Sequence, residues 1–177
     1  METAGSYLNI RTLIIGDVKS GKTALTSQVL QAFIRAGYAA QIAILDLAPE
    51  PVGAIGGKMK PPTEPGLIYL SAPIAAPRLT GTNELQILQL AQQNARAIEA
   101  LFVKIHRRPK DILFVNDASL YLQAGNLDTF VKALDTASTR IINAYYGKTF
   151  EDSALTRREK LLTEKLMKTC DTIKYLE

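Results

Sequence analysis

The most constraining feature of the 177-residue chain is an eight-residue turn, Gly16-Asp17-Val18-Lys19-Ser20-Gly21-Lys22-Thr23, placed between two apolar patterns of different period. Before it stands Leu13-Ile14-Ile15, a wholly apolar run that reads as a buried strand. After it, Leu25, Val29, Ala32/Phe33 and Ala36 recur at helical spacing, closed by Gly37 in the C′ position. The glycines let the backbone curl so that successive N–H groups face inward and form an anion nest. The helix that starts near Lys22 adds its positive dipole end. Lys22 contributes a point charge and Thr23 a hydroxyl oxygen suited to a hard cation. Gly16, Asp17, Val18, Lys19, Ser20, Gly21, Lys22 and Thr23 are therefore predicted to cradle a polyphosphate, with Thr23 on Mg²⁺. A chance match is the alternative, and the strand before and helix after argue against it.

The remaining chain alternates in the same way. Ile42-Ala43-Ile44-Leu45 reads as a second strand ending at Asp46, and strand, loop, helix and strand within about 35 residues make a right-handed βαβ unit. Residues 48–66 hold five prolines and four of the eleven glycines, so no regular element survives there. Leu67–Leu70 reads as the third strand. A long helix is expected after Asn83, with Gln86 completing a capping box, then Ile112–Val115, a short helix after Gly125-Asn126, and Ile141-Ile142. Thr156 with Glu159 reads as another capping box, and Thr172–Leu176 as a last strand. The prediction is a single domain over residues 1–177: α/β, a three-layer αβα arrangement with a mainly parallel sheet.

The octapeptide fits G-x-x-x-x-G-K-[ST] at every defined position, and the chain thereby resembles the P-loop NTPases. The motif covers eight residues, while the βαβ context extends the likeness over most of the chain. An acid closing the second strand, a Pro/Gly-rich loop, then strand, helix and a fourth strand ending in Asp resembles the SIMIBI-like branch. That branch holds signal-recognition GTPases, MinD-type ATPases, dethiobiotin synthetase and polynucleotide 5′-hydroxyl kinases. The stretch Leu45–Glu50 followed by Pro65–Ile68 has some of the kinase rhythm. The chain departs from the branch at Asp17, where MinD-type ATPases carry lysine, and lacks the Gly-Gln pair of the kinases. No Asn-Lys-x-Asp motif marks a preference for guanine, so ATP is the default over GTP.

The resemblance implies Mg²⁺-dependent binding of a nucleoside triphosphate with hydrolysis or kinase-like phosphoryl transfer; the alternative is a nucleotide-dependent switch or adaptor with little turnover. In open parallel sheets ligands gather at the carboxyl ends of strands, where Asp46 and Asp117 both stand. Asp117, after Ile112-Leu113-Phe114-Val115-Asn116, resembles the acid that orients Mg²⁺; the plain reading is a turn or cap residue. Asp46 is a candidate second metal ligand or base, with a turn role equally open. Lys22, Asp46 and Asp117 form the candidate catalytic set, and Thr23, Asp46 and Asp117 the metal set. Asn143 is a candidate base contact or a turn residue.

The loop 51–65, with Lys58 and Lys60, reads as a lid or partner-binding switch, or as a stiff surface loop. Arg78 is a candidate for stabilising transferred charge, or a surface ion pair. Ser119 and Tyr121 lie near where a substrate would sit, and Tyr145-Tyr146-Gly147 read as packing an edge, with stacking on a base as the alternative. His106, the only histidine, fits a helix C-terminus.

Composition excludes more than it selects. One cysteine, Cys170, rules out an intrachain disulfide and fits a reducing cytoplasm. The N-terminus lacks the layout of a secretion signal, and no apolar run reaches the roughly 20 residues that span a bilayer. The net charge of +4 permits a phosphate-rich partner, including nucleic acid, without indicating one.

Overall fold

A computed structural model describes residues 1–177. Six strands form one sheet in which every pairing is parallel: β1 (Arg11–Gly16), β2 (Ile42–Asp46), β3 (Ile68–Ser71), β4 (Ile112–Asn116), β5 (Thr139–Tyr145) and β6 (Thr172–Leu176). Their order across the sheet is β3-β2-β4-β5-β1-β6. Helices cover both faces, which is a three-layer αβα arrangement. No helix is long and apolar enough to cross a membrane.

Both faces are apolar because parallel strands are buried on each side. On one face Ile14, Ile42, Ile44, Ile112, Phe114 and Ile141 pack against Val29, Leu30 and Phe33 of α1 (Lys22–Arg35). On the other, Leu13, Ile15, Leu45, Leu113, Val115 and Ile142 share a larger core with α3 (Glu84–Arg107), α4 (Ser119–Leu122), α5 (Leu127–Leu134) and α6 (Ala154–Met167). A one-turn helix, α2 (Pro77–Thr80), leads toward α3.

Helix starts follow local chemistry. The Asn83 side chain accepts from Gln86 N at 2.9 Å and Asn126 from Thr129 N at 3.0 Å. Gln86 Oε1 reaches back to Thr82 N, one residue beyond the expected capping-box partner. The box expected at Thr156 and Glu159 is absent. α6 begins three residues earlier than that pair implies, with Ser153 accepting from Thr156 N at 3.1 Å, and Glu159 is drawn inward to an ion pair instead. β5 is longer than the two apolar residues that marked it, because Thr139, Asn143 and Tyr145 complete it.

Candidate functional site

Between β1 and α1 the turn runs through left-handed backbone at Lys19 (φ 62°) and Gly21 (φ 92°). Gly21 is the helix N-cap, and a residue with φ near +90° must be glycine for lack of a Cβ. A glycine cap also leaves the first N–H groups of α1 without a side-chain acceptor, whereas α3, α5 and α6 each carry one. Lys22 folds over the turn: its Nζ donates to the carbonyls of Gly16 (3.0 Å) and Asp17 (2.5 Å). Burial lowers its pKa, and the carboxylates of Asp117 and Asp17 oppose that shift.

The Asp17 carboxylate points elsewhere. It accepts from Val18 N (2.7 Å), Thr149 Oγ1 (2.6 Å) and Lys148 N (2.9 Å), which hold its pKa down at about 2. The side chain thus staples the turn to the segment after β5 and is not offered to an anion. Gly147 permits the approach, since a Cβ there would lie 2.3 Å from Asp17 Cγ.

A row of polar side chains crosses the carboxyl ends of three strands on the α1 face. Asp46 lies opposite Asn116 in the ladder, and Asn143 follows on β5. Asn116 Nδ2 donates to Asp46 Oδ1 (2.9 Å), and Asn143 Nδ2 donates to Asn116 Oδ1 (2.9 Å) and Thr26 Oγ1 (2.8 Å). The Thr23 hydroxyl donates to Asn116 Oδ1 at 3.3 Å. Asn116, not Asp117, is therefore the strand-end group in contact with the threonine of the turn.

Asp46 departs from the role expected of it. It is fully buried and both oxygens are occupied: Oδ1 by Asn116 and Ala48 N (3.3 Å), Oδ2 by Met59 N (2.6 Å) and the Tyr69 hydroxyl (2.7 Å). No lone pair is left over for a metal ion or a substrate proton, and the group anchors the root of the Pro/Gly loop. Asn143 is likewise interior. Its Oδ1 accepts from Asp117 N (2.7 Å), which ties the end of β5 to the residue just past β4, and the residue also borders the cavity that Lys22 and Thr23 line.

Asp117 sits just past β4 in left-handed backbone (φ 57°) and lines a cavity of about 310 Å³ together with Lys22 and Thr23. Enclosure and the nearby Glu159 carboxylate push its pKa up to about 7, while Lys22 and Arg78 pull the other way. Arg78, also on the cavity wall, makes two parallel bonds to Glu159 (Nη1–Oε1 3.0 Å, Nη2–Oε2 2.9 Å), and its guanidinium carbon lies 3.9 Å from the Phe150 ring centroid. Burial raises the pKa of Glu159 and the arginine counters it.

Residues 54–57 of the Pro/Gly loop close another side of the cavity. Lys58 is not a free lid cation: its Nζ donates to Ala48 O (2.6 Å) and Ala72 O (3.0 Å), reinforcing the root that Asp46 holds. Ser119 lines the cavity and accepts from Tyr145 N (2.7 Å). Tyr121 is buried with its hydroxyl on Glu99 (2.9 Å), and Tyr145 packs edge-on to Phe150. His106 bonds Phe102 O within its own helix (2.8 Å). Sequence reasoning passed over Asn116, Gln123 and Glu159. Strand alternation marks Asn116, two residues past Phe114 on the α1 face, whereas nothing local marks the other two.

No protein-family model matches the chain, and no curated protein matches it. Among solved structures, the chain is similar to the flagellar accessory protein FlaH from Methanocaldococcus jannaschii, with 10% identity and a TM-score of 0.44 over 88% of this chain and 68% of that one. A likeness at that level says nothing of activity.

Proposed function

We propose that the chain binds a nucleoside triphosphate, ATP by default, on Gly16–Thr23 and hydrolyses it or transfers its terminal phosphoryl group. The observation that carries the reading is a single cavity shared by an uncapped helix N-terminus, the Lys22 amine and the Asp117 carboxyl. A polyphosphate entering it displaces Lys22 from the backbone carbonyls it now satisfies and takes its charge. The N–H groups of the turn and of the start of α1 then donate to the anion.

Mg²⁺ fits the donor set: the Thr23 hydroxyl and the Asp117 carboxylate on the cavity wall are hard oxygen ligands. Thr23 would hold it, with Asp117 on its water shell; Asp46 and the Asn116 amide oxygen, each saturated by protein donors, drop out of the set. When bound, the cation neutralises phosphate charge. Asp117 takes the second role, as base for the attacking hydroxyl or water. An acid whose pKa lies near 7 can both accept and return a proton at neutral pH. Nothing here depends on the branch of P-loop proteins to which the layout is similar, since β5 separates β1 from β4 and the chemistry follows from the cavity.

The test is triphosphate binding and turnover with Mg²⁺ by wild type and Lys22→Ala. Loss of both in a folded variant supports the assignment, and unchanged binding refutes it.

One observation favours a switch as the second reading. Thr23, Asn116 and Asp46 form a continuous hydrogen-bonded chain to Met59 and Tyr69, at the root of loop 51–65. A ligand that takes the Thr23 hydroxyl perturbs that chain, and the loop offers its exposed tip to a partner, protein or phosphate-rich, in the cytoplasm. Protease sensitivity of the loop that changes with nucleotide, alongside negligible turnover, selects this reading.

A further inference from the structure

Three cations line the cavity, Lys19, Lys22 and Arg78, against a single acid, Asp117. Two of the three already have partners. Lys22 is held by the Gly16 and Asp17 carbonyls, and Arg78 by the Glu159 carboxylate, which Gln123 Nε2 also meets at 2.8 Å. Lys19 is exposed and forms no ion pair. Nothing in the protein answers its charge.

The backbone at Lys19 is left-handed (φ 62°), a conformation that glycine adopts freely and lysine only against a steric penalty. A long exposed side chain in that strained position adds nothing to the core. What it borders is the cavity, on the same turn whose N–H groups meet an anion. Oxygen ligands for a metal are sparse there, with the Asp117 carboxylate as the only acid, and nowhere do three His, Cys, Asp or Glu side chains gather. Side chains therefore have to meet much of the charge that a polyphosphate brings.

That charge is uneven along the ligand. Near neutral pH the terminal phosphate carries about two negative charges and an inner one about one. The phosphorus under attack has to come within reach of Asp117, so the terminal phosphate is the one that enters the cavity. Resting on the triphosphate reading above, we infer that Lys19 is a second phosphate-binding cation, specific to the terminal phosphate, and lets the site tell a nucleoside triphosphate from a diphosphate. Lys22 has to leave two carbonyls to reach the anion, whereas Lys19 breaks no contact. Its charge needs no metal, so its contribution is largest when Mg²⁺ is withheld. Lys19 binds the phosphate and takes no part in proton transfer.

Calorimetry of ATP and ADP binding to the full chain, in Mg²⁺ and again in EDTA, tests this on wild type, Lys19→Gln and Lys19→Gly. Glycine suits the left-handed backbone, so Lys19→Gly is expected to melt no lower than wild type, and lost binding there is not lost fold. The expected result is ATP affinity lowered about tenfold in both variants, more in EDTA than in Mg²⁺, with ADP affinity changed by less than about twofold. Lys19→Arg keeps the charge and should keep the preference for ATP. Unchanged ATP affinity in both neutral variants overturns the inference and leaves the phosphate-loop reading standing. An equal loss of ATP and ADP does the same, because it assigns Lys19 to the inner phosphates. Wild type that binds neither nucleotide overturns both.

Discussion

The ends of β2 and β4 look alike in sequence, an apolar run closing on an aspartate, and they behave differently. Asp46 is buried with four protein donors on its two oxygens, so its charge is spent on holding the loop root together. Asp117 opens into a cavity, lies near a second carboxylate, and has its pKa pushed up to about 7. A carboxylate surrounded by donors is held in its charged form, and one enclosed with few of them is held toward its protonated form. The same residue type at the same kind of strand end thus meets opposite surroundings according to what packs around it.

The sharpest way to break this contrast is to neutralise each acid in turn. Asp117→Asn is expected to lower turnover by about 10²–10⁴-fold while leaving the fold intact; single-turnover kinetics with saturating ATP check it, and retained activity would assign the proton transfer elsewhere. Asp46→Ala strands Met59 N, Tyr69 and Asn116 without their acceptor. It should cost on the order of 3 kcal/mol of stability, seen in denaturant unfolding, and expose loop 51–65 to protease. A stable Asp46→Ala protein with a weakened Mg²⁺ titration would instead return Asp46 to the metal set.

pH separates the two acids in another way. The folded pKa of Asp117 is raised above its ordinary value of 3.8, so the stability linked to its protonated form is fully present below about pH 4 and is lost as the pH rises through about 7. Asp117→Asn removes that loss. The nucleotide-free variant should be more stable than wild type at pH 8 by up to about 4 kcal/mol, each pKa unit being worth about 1.4 kcal/mol, and indistinguishable at pH 4. Thermal melts across pH decide it. The smallest effect is expected at Gly147→Ala, which sets a methyl group against Asp17 and loosens the staple under the phosphate loop. A loss of about 1 kcal/mol and weaker triphosphate binding are the readouts.

Much of this was legible beforehand. The phosphate turn and its flanking strand and helix are local, each specified by residues within a few positions of one another, and the apolar runs located all six strands. Period-2 alternation also held the polar row in view, since Asp46, Asn116 and Asn143 each continue an α1-facing series, through Ile44, Phe114 and Ile141. The pairing of Arg78 with Glu159 was not legible: 81 residues separate them, and Glu159 reads locally as a helix cap. Gln123 is silent in sequence for the same reason, because its amide meets Glu159 from 36 residues away.

The sequence alone determined a glycine-bent turn between strand and helix on a parallel α/β scaffold, since hydrophobic period and glycine placement act over short range and need no partner. Only the tertiary structure decided which strand-end acid is spent and which is free. Burial, charge matching and hydrogen-bond saturation are properties of distant segments brought together, and no stretch of the chain carries them by itself.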